Sequence, residues 1–253
     1  MNKRLLKQLL YGLLFLIIIF GIGFYFYYLN TRPTCFDGVQ NGLETGADCG
    51  GECTKACLVI APLQVSIQKL KVPGDDYFLD VLVKVTNPNK DYGAGNIQYT
   101  FGEINSDFYV LPAQTKHLVI HSSLESEKAS LNVADFKWEK LNLFKAADID
   151  FVVKNSSFKS SELEAVVYNN SDFDFDTVDV VVILYGEEGN VLGVNKTALN
   201  TLLSRTDRYF KVSWPNQIDG VVRSEVEVNT NIFNNSNFLR RYGTPEEFKF
   251  KEN

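Results

Sequence analysis

Twenty consecutive positions from Leu9 to Tyr28, LLYGLLFLIIIFGIGFYFYY, carry no charge. As a helix this run extends about 30 Å, the hydrocarbon thickness of a bilayer, so the pattern predicts a transmembrane helix over 9–28 behind a short segment 1–8. Beyond residue 60 the period changes. Apolar Tyr77, Leu79, Val81, Val83 and Val85 stand opposite Asp80 and Lys84, the period-two mark of a half-buried strand. Asn87-Pro88-Asn89-Lys90-Asp91-Tyr92-Gly93 interrupts with turn residues, and Ile97, Tyr99 and Phe101 then alternate with Gln98 and Thr100. Strand signals follow at 108–111, 116–121, 136–138, 149–153, 163–168, 178–185, 191–194, 209–214 and 221–228. Strands recurring roughly every 10 to 15 residues with no helical period between them predict an all-β region of antiparallel sandwiches.

The β region also resembles itself. VLVKVTNPNKDYGAGNIQYTFG in its first half and LEAVVYNNSDFDFDTVDVVVILYG in its second share the order strand, Asn-rich turn, strand ending in an aromatic and glycine. Each half is further expected to carry a Trp-bearing strand, at Trp138 and Trp214. The reading is an internal duplication with its boundary between 140 and 160, giving domains at 59–145 and 146–235 and a C-terminal tail at 236–253.

Charge orients the chain. Lys3, Arg4 and Lys7 precede the apolar run, whereas Arg32 alone follows it closely, which places the N-terminus in the cytoplasm and the bulk outside. A cleaved secretory signal would have a shorter apolar region ending in small residues; here the run ends in Phe24, Tyr25, Phe26, Tyr27 and Tyr28, an interfacial aromatic belt. The expectation is therefore a single-pass signal anchor, with the lipid bilayer as partner of residues 9–28. Apart from the three leading cations, 22 basic residues face 31 acidic ones, a net charge of −9, which repels phosphate backbones and argues against nucleic-acid binding.

All four cysteines lie in the segment 33–58, at Cys35, Cys49, Cys53 and Cys57. In an exported compartment they are expected as two disulfides, with three pairings open. Asp37, Asn41, Glu44 and Asp48 alternate with turn-forming Gly38, Gly42 and Gly46, and oxygen ligands among glycines are what calcium requires. The spacing is not that of an EF-hand, and tight solvated turns are the competing reading. Zinc on the four cysteines is a third; the C-x13-C-x3-C-x3-C spacing departs from paired C-x2-C knuckles.

The run CxDGxxNGxExGxDCGGxCxxxC, carried by Cys35, Asp37, Gly38, Asn41, Gly42, Glu44, Gly46, Asp48, Cys49, Gly50, Gly51, Cys53 and Cys57, resembles a short module of exported bacterial surface proteins. Its last gap, Thr54-Lys55-Ala56, is one residue longer than the common form. The resemblance implies an extracellular setting and calcium, and no enzymatic activity. The second half is similar to the FxLYD sandwiches, through Val167-Tyr168-Asn169-Asn170-Ser171, ILYGEEGNVLG from Ile183, Leu202 and Tyr209-Phe210-Lys211-Val212, although Gly186 stands where an Asp is common. The first half, through Asn87-Pro88-Asn89, resembles the same broad group, which includes the late-embryogenesis-abundant type 2 sandwiches. These likenesses imply two tandem immunoglobulin-like domains.

Catalytic chemistry is thin. His117 and His121 are the only histidines and are expected at the surface. No HExxH, P-loop, GxGxxG or Ser-His-Asp order is present. Asp172, Asp174, Asp176 and Asp179 read as a solvated loop from which Phe173 and Phe175 turn inward. Asn155, Asn169, Asn195 and Asn234 open N-x-S/T sequons, incidental in a bacterial protein. The expected function is non-enzymatic binding or scaffolding at the cell envelope, with a protein or envelope component as partner. A stress-protective protein of the late-embryogenesis type and a thiol-redox or metal-dependent protein are the alternatives.

Overall fold

The structure, a computed structural model, describes residues 3–30, 35–57, 59–72, 74–75, 77–123, 128–141, 148–236 and 238. The chain divides into two compact units, Met1–Val59 and Ile60–Asn253. Most of the expected tail 236–253 lies outside the described residues.

The first unit contains one long helix, α1 (Lys3–Asn30), and the disulfide segment. No Pro and no β-branched run other than Ile17-Ile18-Ile19 opposes helix formation. Residues Lys7–Tyr28 within it are long and apolar enough to cross a membrane by length and composition. Side chains from Leu9 to Tyr28, Phe15 and Phe20 among them, are exposed all round the helix, as a lipid-facing span requires.

The described residues of the second unit form antiparallel strands followed by a short 3-10 turn at Ile232–Asn234: β1 (Gln64–Lys71), β2 (Phe78–Thr86), β3 (Tyr92–Phe101), β4 (Ile104–Val110), β5 (Thr115–Ser123), β6 (Leu131–Val133), β7 (Glu139–Lys140), β8 (Phe151–Lys159), β9 (Glu162–Asn169), β10 (Phe175–Tyr185), β11 (Val191–Leu202), β12 (Asp207–Ser213) and β13 (Arg223–Asn229). Four sheets run β1-β2-β5, β4-β3-β6 with β7 also on β3, β12-β9-β8 and β11-β10-β13. Advancing each strand number by seven turns the first sheet into the third and the second into the fourth. The duplication glimpsed in the sequence is thus a repeat of topology; among the described residues β7 alone lacks a counterpart.

The repeat extends to atoms. Asn87, at the end of β2, donates Nδ2 to the carbonyls of Tyr92 (2.6 Å) and Leu111 (2.8 Å) and accepts at Oδ1 from the N–H of Asn89. Asn169, at the end of β9, donates Nδ2 to the carbonyls of Phe173 (2.8 Å) and Leu202 (3.2 Å) and accepts at Oδ1 from the N–H of Ser171. Each buried amide closes its own turn and ties the turn to the chain entering the next partner strand, satisfying backbone oxygens that burial would otherwise leave unpaired.

Three clusters of buried side chains fill the spaces between sheets. Leu79, Val81, Val83 and Val85 of β2 pack with Ile97, Phe101 and Phe108. Val178, Val180, Val182 and Leu184 of β10 pack with Leu163, Val167, Phe210 and Trp214. The third cluster joins Leu82 and Val119, paired neighbours on β2 and β5, to Val181, Ile183 and Val194 of β10 and β11. Strand β2 is therefore not half-buried, as its alternation predicts. Its second face, with Leu82 at 6% and Asp80 at 7% exposure, is covered by the sheet of the other half.

Other expectations need correcting. The segment 136–138 is not a strand; β6 and β7 flank it, and Phe136 and Trp138 meet edge to face at 5.0 Å against the first core. Trp214 follows β12 rather than lying in it, donating Nε1–H to the carbonyl of Val194 at 3.0 Å. Strand β1 escapes the alternation rule altogether, because it is an edge strand exposed along nearly its whole length. Lys69 and Lys71 discourage further pairing at that edge.

Asn169→Ala strands two buried carbonyls and should cost about 2–3 kcal/mol of unfolding free energy, with Asn87→Ala matching it. Urea denaturation checks this; a loss below about 0.5 kcal/mol for both would show that the amides do not hold the repeats.

Candidate functional site

The disulfide segment is built from turns, and the structure settles its pairing as Cys35–Cys53 and Cys49–Cys57. The bridges interleave, first to third and second to fourth. No cysteine is free: all four are held in these two bridges. Gly51, with φ +57, is required twice over, because a Cβ there would fall 1.7 Å from the Leu43 carbonyl oxygen.

The four candidate calcium ligands come together as a ring of hydrogen bonds. Asp48 accepts from the N–H of Asp37 (2.8 Å) and of Gly38 (2.8 Å). Asp37 accepts from the N–H of Val39 (3.0 Å) and from Asn41 Nδ2 (2.9 Å). The N–H groups of Asn41 (3.2 Å) and Asp48 (3.3 Å) donate to Glu44 Oε2, while Glu44 Oε1 lies 3.2 Å from Cys53 Sγ. Asp37 and Glu44 thus each close a local turn, while Asp48 pins the backbone of residues 37 and 38 from eleven and ten positions away; in each case an acidic side chain replaces a backbone acceptor. Asn41 Oδ1 is different: it is buried with no hydrogen-bond partner. The three carboxylates do not converge on one point. Among the described residues, the one set of three ligand-type atoms within 4.8 Å of one another is Cys35, Glu44 and Cys53, whose sulfurs are bonded to each other.

A second polar site lies in the β unit, where the two repeats meet. A cleft of about 350 Å³ is lined by Tyr109, Lys116, His117, Asp179, Lys196 and Asn229 among others. Lys116 is only 3% exposed, and its ammonium sits 3.5 Å above the centre of the Tyr109 ring, a cation–π contact strengthened by exclusion of water. The Tyr109 hydroxyl donates to Asp179 at 2.9 Å. Burial pushes the Lys116 ammonium down to about 8, against the pull of Asp179 and Glu227, and holds the Tyr109 phenol well above its ordinary value, with Asp179 adding to the rise.

His117 belongs to the same seam rather than to the surface. Its Nδ1 lies 2.7 Å from Glu227 Oε2 and its backbone N–H donates to Glu227 Oε1 at 3.0 Å. Asn229 donates to Glu227, and Gln114 in turn to Asn229, both at 2.6 Å. His121 pairs through Nδ1 with Asp80 at 2.7 Å, inside the first repeat. The surface expectation holds for His121, whose side chain is exposed, and fails for His117, which faces a carboxylate brought by β13 that spacing along β5 cannot reveal. The Lys116 site left no mark in the sequence for the same reason, since its partners come from β4, β10 and β13.

The acidic run behaves as expected at its start: Phe173 and Phe175 are buried, whereas Asp172, Asp174 and Asp176 are exposed. Asp172 pairs with Arg205 at 2.7 Å. Asp179 departs from the run to face the cleft. Of the sequon asparagines, Asn169 is fully buried and Asn155 and Asn234 are exposed.

Comparison with protein-family models finds no match, and comparison with curated proteins finds no similar chain.

The depressed Lys116 value has a signed consequence. Unfolded, the group keeps its proton up to its ordinary 10.5; folded, it releases it near 8. Stability is therefore penalised in full below pH 8 and recovers as pH rises from 8 towards 10, by on the order of 1–3 kcal/mol. Denaturation midpoints across that window should climb in the native chain relative to Lys116→Met; parallel curves would refute the assignment.

Proposed function

We propose that this chain is a non-enzymatic, membrane-anchored protein of the cell envelope. In this reading α1 crosses the bilayer with residues 1–8 in the cytoplasm, and the β unit works outside as a binding or scaffolding body for a protein or other envelope component. The observation that carries it is the pair of disulfides in a segment that begins five residues after a helix of spanning length. Disulfides persist where the compartment is oxidising, and the cationic start of α1 agrees with that side being external.

The repeated topology, with one core wholly of the first half and another built mainly from the second, supports reading the β unit as two tandem immunoglobulin-like sandwiches. The charged groups of the seam are engaged with one another, which favours a role in holding the halves together over one in catalysis. Fold alone assigns no partner.

Calcium at the ring of Asp37, Asn41, Glu44 and Asp48 accompanies this proposal. Its support is the unpartnered Asn41 Oδ1 and a donor set made wholly of oxygen. Binding requires the carboxylates to turn toward that oxygen from the backbone N–H groups they now accept.

Protease added to intact cells or right-side-out vesicles should digest residues beyond 60 and leave α1 protected; protection of the β unit would reverse the topology. Millimolar calcium should raise the resistance of the disulfide segment to proteolysis in the native chain and not in Asn41→Ala. Equal resistance with calcium and with chelator would leave the ring as turn-forming hydrogen bonds alone.

A further inference from the structure

The disulfide segment ties up its carboxylates on its own backbone and leaves its large apolar side chains exposed. Asp37, Glu44 and Asp48 direct their carboxylates onto the segment's own N–H groups, and Asn41 turns its amide oxygen into the interior. The large apolar side chains go the other way: Phe36 is 91% exposed, Leu43 68% and Val39 59%. In a water-surrounded module held by disulfides, such side chains would stand uncovered at a cost that polar residues would avoid.

The tether limits where these side chains can be. Cys35 follows the last residue of α1, Asn30, by five positions, which span at most about 18 Å even when fully extended. The helix itself ends in Phe24, Tyr25, Phe26, Tyr27 and Tyr28, all exposed, a composition suited to the headgroup layer. If α1 spans the bilayer, the segment is confined to the neighbourhood of that layer, which is roughly 5–8 Å deep on each side.

We infer that the disulfide segment is a membrane-surface module whose Phe36, Val39 and Leu43 lie in the headgroup–acyl boundary, with lipid as their partner. The inference rests on α1 crossing the bilayer. It gives a reason for the acids being tied back, even at the exposed Asp37: carboxylates already hydrogen-bonded to backbone amides are less available to repel the lipid phosphates. The interleaved bridges Cys35–Cys53 and Cys49–Cys57 hold the backbone path on which that arrangement is built. The module thereby fixes the first point of the exported chain at the bilayer surface.

The test uses the full chain reconstituted in phosphatidylcholine–phosphatidylglycerol vesicles, with tryptophan at Phe36→Trp, Glu52→Trp or Leu14→Trp and the signal of Trp138 and Trp214 subtracted using the unsubstituted chain. Non-reducing mass analysis confirms both bridges in each variant. Tryptophan at 36 should lose about half its emission to lipids brominated near the headgroup and resist aqueous iodide, whereas tryptophan at 52 should respond to iodide. Iodide quenching at 36 equal to that at 52 would overturn the inference. So would resistance at 36 to both iodide and bromolipid, which would mean that protein covers the site. Tryptophan at 14 reports separately on the anchor: quenching there by deep bromolipids with none at 36 sinks only the surface seating, while no quenching at 14 removes the spanning helix and the inference with it.

Discussion

The contact of Leu82 and Val119 with Val181, Ile183 and Val194 is the constraint on which the β unit depends. Each repeat has a main core, the second one also taking in Tyr109, Leu111 and Leu141 of the first repeat, and this third cluster makes the two central sheets bury both faces. A sheet covered on both sides can carry almost no unpaired polar group, so β10 runs Val180-Val181-Val182-Ile183-Leu184 without a polar residue. Where polar groups do enter the junction they arrive in sets. Glu227 takes its donors from His117 and Asn229, and Asp179 takes the Tyr109 hydroxyl. Lys116 answers both carboxylates through space while resting on an aromatic ring. Removing one member leaves another buried and uncompensated, which is why such networks specify one docking geometry.

The sequence discloses whatever is periodic or local. Alternation located β2, β3, β5, β9 and β10 to within a few residues, and the Asn-rich turns exposed the duplication, because Asn87 and Asn169 act on their own neighbourhoods before reaching a distant carbonyl. What stayed hidden depends on pairing between distant strands. The edge strand β1 has no buried face to print a pattern, and the aromatic pair Phe136 and Trp138 looks like a strand although it caps a core from an irregular segment. In the disulfide segment the four oxygen-bearing residues were legible as a group. Their use as turn acceptors was not, since a carboxylate facing an ion and one facing a backbone amide are written with the same letters.

The two units solve the problem of stability by opposite means. The β unit buries branched aliphatic side chains in layers, each worth about 1.5–3 kcal/mol when fully removed from water. The disulfide segment has too few residues for a core. It relies on covalent bridges, each of which restricts the unfolded chain by an amount on the order of 3 kcal/mol, and on carboxylates that replace missing sheet partners.

The interleaving of those bridges has a mechanical meaning. A chain of 22 peptide steps from Cys35 to Cys57 could extend about 75 Å under load. Because Cys35 is bonded to Cys53, tension passes directly across that sulfur bridge and through only the four remaining steps to Cys57, about 14 Å. Under load the stretch from Cys35 to Cys57 therefore lengthens by only a fraction of its contour, because the path through the sulfur bridge is the shorter one.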